Sequence, residues 1–313
     1  MEIEKLDLID CHNRIKPFIH NTPVLTSSYI NELTEAEVYF KCENFQKMGA
    51  FKMRGAANAI LKLSDEQKSK GVVTHSSGNH AQAISLAAKK IGIKAYIVMP
   101  SNASEIKKEA VKGYGGELIE CEPNIQAREA AAKAIVNSKG ATFIHPSNDL
   151  DVILGQGTAS KELIEEYGSF DHILVPIGGG GLIAGSALAA KYFGDNCTVI
   201  GTEPFEVDDA YRSLISGKIE TNITTNTIAD GLRTQLGDKN FPIILNEVKK
   251  IIRITEDEII DSMKLIWQRL NIICEPSCSL PLAGIIKNKD EFKGKKIGVV
   301  ITGGNIDLGN LPF

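Results

Sequence analysis

Lys52 stands in "FQKMGAFKMRGAANAI", between Phe51 and Met53 and directly after the step Gly49-Ala50. Apolar residues recur at Phe51, Met53, Ala56, Ala57, Ile60 and Leu61, which predicts a helix that begins near residue 50 and buries one face. A lysine in the first turn of such a helix meets the positive end of the helix dipole, and among apolar neighbours it also loses hydration. Both effects favour the neutral amine, a nucleophile that can form a Schiff base with a carbonyl. Taken alone, the stretch also admits a solvated lysine that points outward.

Two further clusters offer chemistry. "HILVPIGGGGLIAGSALAAKYFG" reads as a strand, four glycines (Gly178, Gly179, Gly180, Gly181) and an Ala-rich helix, so that backbone N–H groups and a helix N-terminus can cradle a phosphate. The same glycines fit a dinucleotide fingerprint, Gly179-x-Gly181-x-x-Ala184, with Glu203 about 20 residues further on where a ribose-binding acid would stand. A nicotinamide-dependent dehydrogenase is therefore a rival, although its fingerprint belongs at the first strand of a domain and it leaves Lys52 without work. A tight turn with close helix packing is a further, lesser alternative for the glycines. "VVTHSSGNHAQAISLAAKK" places Ser76, Ser77, Gly78 and Asn79 between a strand and a helix, where amides and hydroxyls can hold an anion such as a substrate carboxylate. The competing reading is a simple N-cap at Ser76 or Ser77. His75 and His80 read singly as packed or capping residues.

The elements that must carry these clusters are legible. "EVYFKCE", "GVVTHSS", "KAYIVMP", "ELIECE", "ATFIHP", "HILVPIGGG", "CTVIGTEP" and "KIGVVITGG" read as strands separated by Ala-, Lys- and Glu-rich helices. That alternation predicts an α/β fold with mostly parallel sheet, in which ligands sit beyond the carboxyl ends of the strands. "SSGNH", "GGGG" and "TGGN" all fall at such ends.

Composition narrows the function classes. The 313 residues are 43% hydrophobic and 24% charged with a formal net charge of −4, an ordinary globular balance with no basic patch for nucleic acid. No run reaches the roughly 18 apolar residues of a membrane span, and "MEIEKLDLID" is too acidic and broken for a signal peptide, so a cytoplasmic protein without membrane partners is expected. Cys11, Cys42, Cys121, Cys197, Cys274 and Cys278 are scattered as reduced thiols would be, and only Cys274 and Cys278 are close, without the spacing of a zinc site. No repeat or low-complexity linker marks a domain boundary.

Together the clusters resemble the fold-type II pyridoxal-phosphate enzymes, the tryptophan synthase β-like group, over essentially the whole chain. "GAFKMRGA" is similar to their Schiff-base lysine segment, "SSGNH" to their substrate-carboxylate loop, "GGGG" to their phosphate cup and "TGGN" to the strand end near the pyridine nitrogen. Within that family "IKPFIHNTPVLTSSYIN", "FQKMGAFK", "TEPFEVDDAYRS", "TIADGLRT" and "GGNIDLGNLPF" most resemble serine racemases and the serine, threonine and hydroxyaspartate dehydratases beside them. With Lys52 and Ser77 both present, a binding protein that has lost its chemistry is disfavoured. The resemblance implies two open, mostly parallel-sheet domains, a large cofactor-binding one over residues 1–70 and 149–313 and a small one over 71–148 that carries the substrate loop. It implies a homodimer, and an ending that leaves no place for the C-terminal regulatory domain of biosynthetic threonine dehydratases.

The resemblance also implies roles. Lys52 forms the Schiff base beside Phe51, Gly178 to Gly181 hold the phosphate, Asn79 contacts the ring hydroxyl and Thr302 faces the pyridine nitrogen. Ser76, Ser77, Gly78, Asn79 and His80 bind the substrate, with Lys52 and Ser77 as acid/base groups on opposite faces of Cα. A serine racemase that also dehydrates serine to pyruvate and ammonia is the reading that follows, with threonine/serine or threo-3-hydroxyaspartate dehydration as alternatives. Glu203, Asp209 and the Val207 carbonyl are similar to a Mg²⁺ or Ca²⁺ site, and Arg128 stands where the family brings an arginine to the far end of a dicarboxylate. Some positions depart. Cys278 in "EPSCSL" replaces a usual glycine, and Arg233 and Thr234 stand where animal serine racemases have lysine and serine, which bears on substrate choice. Lys47, Tyr114 and the pair Ser27 and Ser28 match their nucleotide contacts, whereas Met48 and Asn271 do not, so ATP as an activator is a partial expectation.

Overall fold

The computed structural model describes residues 3–313. The chain runs through α1 (Lys5–Ile15), β1 (Val24–Leu25), α2 (Ser28–Thr34) and β2 (Glu37–Cys42), and after two short 3-10 turns enters α3 (Lys52–Leu61) and α4 (Asp65–Lys70). A regular alternation follows: β3 (Val72–His75), α5 (Asn79–Ile91), β4 (Ala95–Pro100), α6 (Glu105–Gly113), β5 (Glu117–Cys121), α7 (Ile125–Lys139) and β6 (Thr142–Phe143). The remainder is α8 (Leu150–Tyr167), β7 (His172–Pro176), α9 (Gly181–Phe193), β8 (Thr198–Pro204), α10 (Asp209–Ser216), α11 (Phe241–Glu247), β9 (Val248–Ile254), α12 (Glu256–Leu270), α13 (Leu280–Lys287), α14 (Lys289–Phe292) and β10 (Lys296–Ile301).

The strands form two sheets. One has the order β1-β2-β10-β7-β8-β9 and is parallel except for β1, which runs antiparallel to β2; the other, β5-β4-β3-β6, is parallel throughout. All eight runs read as strands from the sequence are strands, and the α/β class with mostly parallel sheet is confirmed. β4 and β7 are buried along their whole length, as parallel strands covered on both faces must be. Two strands escaped the sequence reading. β9, "VKKIIRI", is an edge strand paired only to β8, and Lys249 and Lys250 break its apolar run. β1 has only two residues.

Helix α8 sets the spacing that matters for the site. A Cβ on Gly155 would lie 2.5 Å from Gly55 Cα in α3, and one on Gly157 would lie 2.5 Å from the Gly185 carbonyl oxygen in α9. Backbone therefore touches backbone on both sides of α8. Gln156 between these glycines accepts from Gly55 N–H at 3.1 Å. Met53, Ala56 and Ile60 of α3 share one apolar core with Ile84 of α5 and Val152 and Ile153 of α8.

Candidate active site

β10 pairs with β2 from Lys296 opposite Glu37 to Ile301 opposite Cys42, which brings both carboxyl ends to the same edge. Beyond β2 the chain turns through Met48 and Gly49, both with positive φ (58° and 75°). Ala50 then bridges to Gly303, and Phe51 N–H donates to the Thr302 carbonyl at 3.0 Å. Lys52 is consequently the first helical residue of α3, anchored to the end of β10. Its Nζ donates to the Pro146 carbonyl at 2.7 Å and lies 5.1 Å from the centre of the Phe51 ring. Burial pushes the amine's pKa down to about 8, and the Glu275 carboxylate pulls part of the way back.

The four glycines join β7 to α9 in a wall too narrow for side chains. A Cβ on Gly178 would meet the Gly231 carbonyl oxygen at 2.9 Å, and one on Gly179 would meet Ser147 Oγ at 2.3 Å. Gly180 has φ +82°. Thr234 Oγ1 lies 3.2 Å from both the Gly178 and the Gly179 Cβ positions, so this residue belongs to the glycine wall. Asn240 Nδ2 donates to the Gly179 carbonyl at 2.8 Å and to the Ser147 carbonyl at 3.3 Å, tying that wall to the segment that receives Lys52. His145 holds the same segment, its Nδ1 accepting from the N–H groups of Ser147 and Asn148 at 3.2 and 2.8 Å.

The loop after β3 differs from the simple cap that the sequence allowed. Gly78 occupies the N-cap position of α5 and no side chain bonds there, because Ser76 Oγ instead accepts from Gly78 N–H at 3.3 Å. The first amides of α5 are thereby left for an anion. Asn79 Nδ2 donates to both oxygens of Glu275 at 3.0 and 3.1 Å, and its Oδ1 accepts from Asn305 Nδ2 at 2.8 Å. Glu275 is buried, and burial pushes its carboxyl up to about 7. His80 is buried with neither ring nitrogen bonded, and burial followed by the Lys52 charge pushes its pKa well down, so the ring is neutral. Arg128, on α7, lies near enough to His75 for its charge to lower that ring's pKa, after burial and against Glu129; its Nε is buried without a partner.

At the end of β10, the Thr302 hydroxyl contacts Cys278 Sγ at 3.1 Å. Away from this cluster, Glu203 accepts from Ala210 and Tyr211 N–H at 3.0 and 2.8 Å, and Asp209 Oδ2 accepts from Leu236 N–H at 3.0 Å. Asp209 Oδ1 is buried and bonds to nothing. Val207, between the two acids in the chain, is fully buried. Glu203 is 1% exposed beneath α10, so it presents no exposed carboxylate to a ribose as the dehydrogenase reading needs.

Lys52, the glycine wall, Asn79, Thr302 and Asn305 of "TGGN" thus lie beyond the strand ends, together with Pro146, Ser147, Asn240 and Glu275, which the sequence did not single out. A family model described as pyridoxal-phosphate dependent enzyme matches residues 15–303. The chain belongs to that family. Among curated relatives, β-hydroxyaspartate dehydratase of Paracoccus denitrificans is 48% identical over 307 residues, 98% of each chain. Serine racemase of Dictyostelium discoideum is 49% identical over 309 residues, 97% of this chain and 95% of the relative. The structure of maize serine racemase superposes with a TM-score of 0.96 at 46% identity, covering 99% of this chain and 95% of that one. The residues present fit the family's cofactor: a half-buried lysine with a lowered pKa faces a wall of unsubstituted backbone at a helix N-terminus.

Proposed function

We propose that this chain is a serine racemase that also dehydrates serine to pyruvate and ammonia, using pyridoxal phosphate. The observation that carries the reading is the Lys52 amine, half-buried and held near neutrality, at the same strand ends as the glycine wall and an uncapped α5. Serine racemases among its full-length relatives supply the substrate. When bound, pyridoxal phosphate supplies an aldehyde for Lys52 and an electron sink for the charge left at the substrate Cα. Gly178 to Gly181 would hold its phosphate, Asn79 its ring hydroxyl and Thr302 its ring nitrogen, where a hydroxyl cannot enforce protonation as a carboxylate would.

The protein's own groups then divide the work. Ser76, Ser77, Gly78, Asn79 and the start of α5 at His80 receive the substrate carboxylate. Lys52 takes the Cα proton from one face, and Ser77 gives or takes a proton on the other, so that inversion becomes available. Lys52 alone suffices to remove a proton and help expel the β-hydroxyl. Residues 71–148, which contain the four-stranded sheet, would close as a small domain over 1–70 and 149–313 and exclude water. Glu203, Asp209 and the Val207 carbonyl would bind Mg²⁺ or Ca²⁺, a role suited to the unbonded Asp209 Oδ1. A cytoplasmic homodimer activated by ATP completes the proposal; no helix among the described residues is long and apolar enough to cross a membrane.

Dehydration of threo-3-hydroxyaspartate is a second reading. The full-length likeness to β-hydroxyaspartate dehydratase and the buried, unbonded Nε of Arg128 favour it. The purified protein should absorb at about 410 to 420 nm through its Lys52 Schiff base; a protein that is colourless and takes up no added pyridoxal phosphate contradicts the whole proposal. Lys52→Ala should abolish racemisation and elimination together, and more than a few per cent of residual turnover would remove Lys52 from its role. Ser77→Ala should stop racemisation in both directions while elimination from L-serine continues, assayed as pyruvate and as the opposite enantiomer. Equal loss of both activities would make Ser77 structural. Elimination from hydroxyaspartate much faster than from serine, and lost in Arg128→Ala, would select the second reading.

A further inference from the structure

Asn240 stands at the N-cap of α11, yet its side chain caps nothing there. The residue is fully buried and its amide faces the glycine wall instead. Nδ2 donates to the Gly179 carbonyl at 2.8 Å and to the Ser147 carbonyl at 3.3 Å, while Oδ1 accepts from Gly237 N–H at 3.1 Å. Two acceptors at one end and a donor at the other admit a single orientation of the amide, so the partners themselves settle the direction of each bond.

The peptide that Asn240 holds joins Gly179 to Gly180. A trans peptide unit is planar, and its carbonyl and N–H point in opposite directions. With the Gly179 carbonyl drawn to Asn240, the Gly180 N–H points away from it, and among the described residues no acceptor takes up that N–H. It therefore stands with the first amides of α9, which begins at Gly181. Turning this peptide over would put a carbonyl oxygen in the same place. The chain itself resists little, because glycines flank the peptide: Gly180 has φ +82°, and the opposite orientation needs only a negative φ, which glycine adopts as readily. No side chain on Gly180 can act as the lock, since its Cβ would lie 2.8 Å from Asn240 Oδ1.

We propose that Asn240 is a positioning residue that locks the Gly179–Gly180 peptide with its N–H toward the phosphate of pyridoxal phosphate and its carbonyl away. This rests on the proposed seat of that phosphate at Gly178 to Gly181. An unlocked peptide would present the anion with a donor in one orientation and a repelling oxygen in the other, and Asn240 removes the second. Its bond to the Ser147 carbonyl adds a second effect. The neighbouring Pro146 carbonyl receives Lys52 Nζ at 2.7 Å, so one buried amide sets the phosphate seat against the segment that holds the amine. Asn240 does this from behind the wall, through the main chain.

Pyridoxal phosphate and 5′-deoxypyridoxal carry the same ring and aldehyde and differ in the phosphate, so the ratio of their Kd values for the cofactor-free full chain isolates the seat. Wild type should bind pyridoxal phosphate far more tightly. Asn240→Leu keeps a side chain of similar size and removes the donor. Its Kd for pyridoxal phosphate should rise about tenfold, the size of one hydrogen bond to a charged group, while its Kd for 5′-deoxypyridoxal stays within about twofold of wild type. An equal rise for both compounds would make Asn240 a packing residue and overturns the proposal, as does an unchanged Kd for pyridoxal phosphate. Should Asn240→Leu fail to fold, Asn240→Ala is read by the same pair of constants: a rise confined to pyridoxal phosphate upholds the proposal, and any other pattern overturns it. Failure of the parent reading looks different. Wild type that binds 5′-deoxypyridoxal as tightly as pyridoxal phosphate removes the phosphate seat itself, and the proposal falls with it.

Discussion

Glu43 and Glu162 form one pair of buried carboxylates, Glu203 and Asp209 form another, and the protein treats them in opposite ways. The Arg54 guanidinium sits between the first two, with four N–H···O contacts of 2.7 to 2.8 Å and a fifth bond to Thr158 Oγ1 at 3.1 Å. Lys41 and His12 add contacts to Glu162 at 2.8 and 3.0 Å. Burial pushes the Glu162 carboxyl up, but the His12 hydrogen bond and the Arg54 and Lys41 charges carry it well below the usual carboxylate range. At the second pair, burial and then the Asp209 charge push Glu203 well above that range, and burial pushes Asp209 up to about 6. The Arg212 charge pulls Asp209 only part of the way back, because Arg212 and Arg253 bond to Asp208 instead. Burial is common to both pairs, so the difference is the cation: Arg54 bonds to both members of one pair, and among the described residues no cationic side chain bonds to the other.

The largest effect expected from breaking this contrast is at Arg54. Arg54→Met leaves Glu43 and Glu162 buried without their cation and should cost about 3 to 5 kcal/mol of stability, read from urea unfolding. A loss under about 1 kcal/mol would mean that Lys41 and His12 suffice. Next comes the proposed divalent cation. Mg²⁺ or Ca²⁺ at a hundredfold excess over its Kd should stabilise the protein by about 2.7 kcal/mol, and EDTA should remove that gain; indifference to both would leave Glu203 and Asp209 as an ordinary buried pair.

Acidity sharpens the contrast further. Asp209 has an ordinary value of 3.8 and a folded one of about 6, and Glu203 is shifted in the same direction. The folded state thus holds these protons more tightly than the unfolded chain, and the stability they contribute is present below the unfolded value and lost as pH rises through about 6. A divalent cation displaces the protons, so its stabilising increment should grow as pH passes upward through 6; a melting-temperature difference with and without Mg²⁺ that is flat across that window would contradict the assignment. The smallest effect belongs to Asp209→Asn. Removing one of two repelling carboxylates should change metal-free stability by less than about 1 kcal/mol while abolishing the response to cation.

Much of this was legible in the sequence, for a physical reason. Parallel strands buried on both faces appear as unbroken Val- and Ile-rich runs, which is why β4, β7 and β10 were plain, while β9, with lysines suited to a sheet edge, was not. Lys52, the four glycines and "SSGNH" are contiguous clusters at strand ends and announced themselves. Pro146, Ser147, Asn240 and Glu275 carry no such local mark. Pro146 enters by its carbonyl, Asn240 by bonds to two backbone oxygens, and Glu275 by meeting Asn79 across 196 positions of sequence. The second carboxylate pair came from family resemblance, and Arg54 with its two acids, one of them 108 residues away, was invisible.

Helix α8 has a consequence of another kind. With Gly155 seated on Gly55 and Gly157 on Gly185, the gauge between the helix that starts at Lys52 and the helix that starts at the glycine wall is fixed by main-chain atoms on both sides. Side chains elsewhere in the core can drift in volume over generations and be absorbed by their neighbours without altering that span. The glycines of these two contacts have no such freedom, since a single methyl group at Gly155 or Gly157 would act as a wedge between the helix of Lys52 and the helix of the glycine wall, changing the span between the two parts of the proposed site from a position outside it.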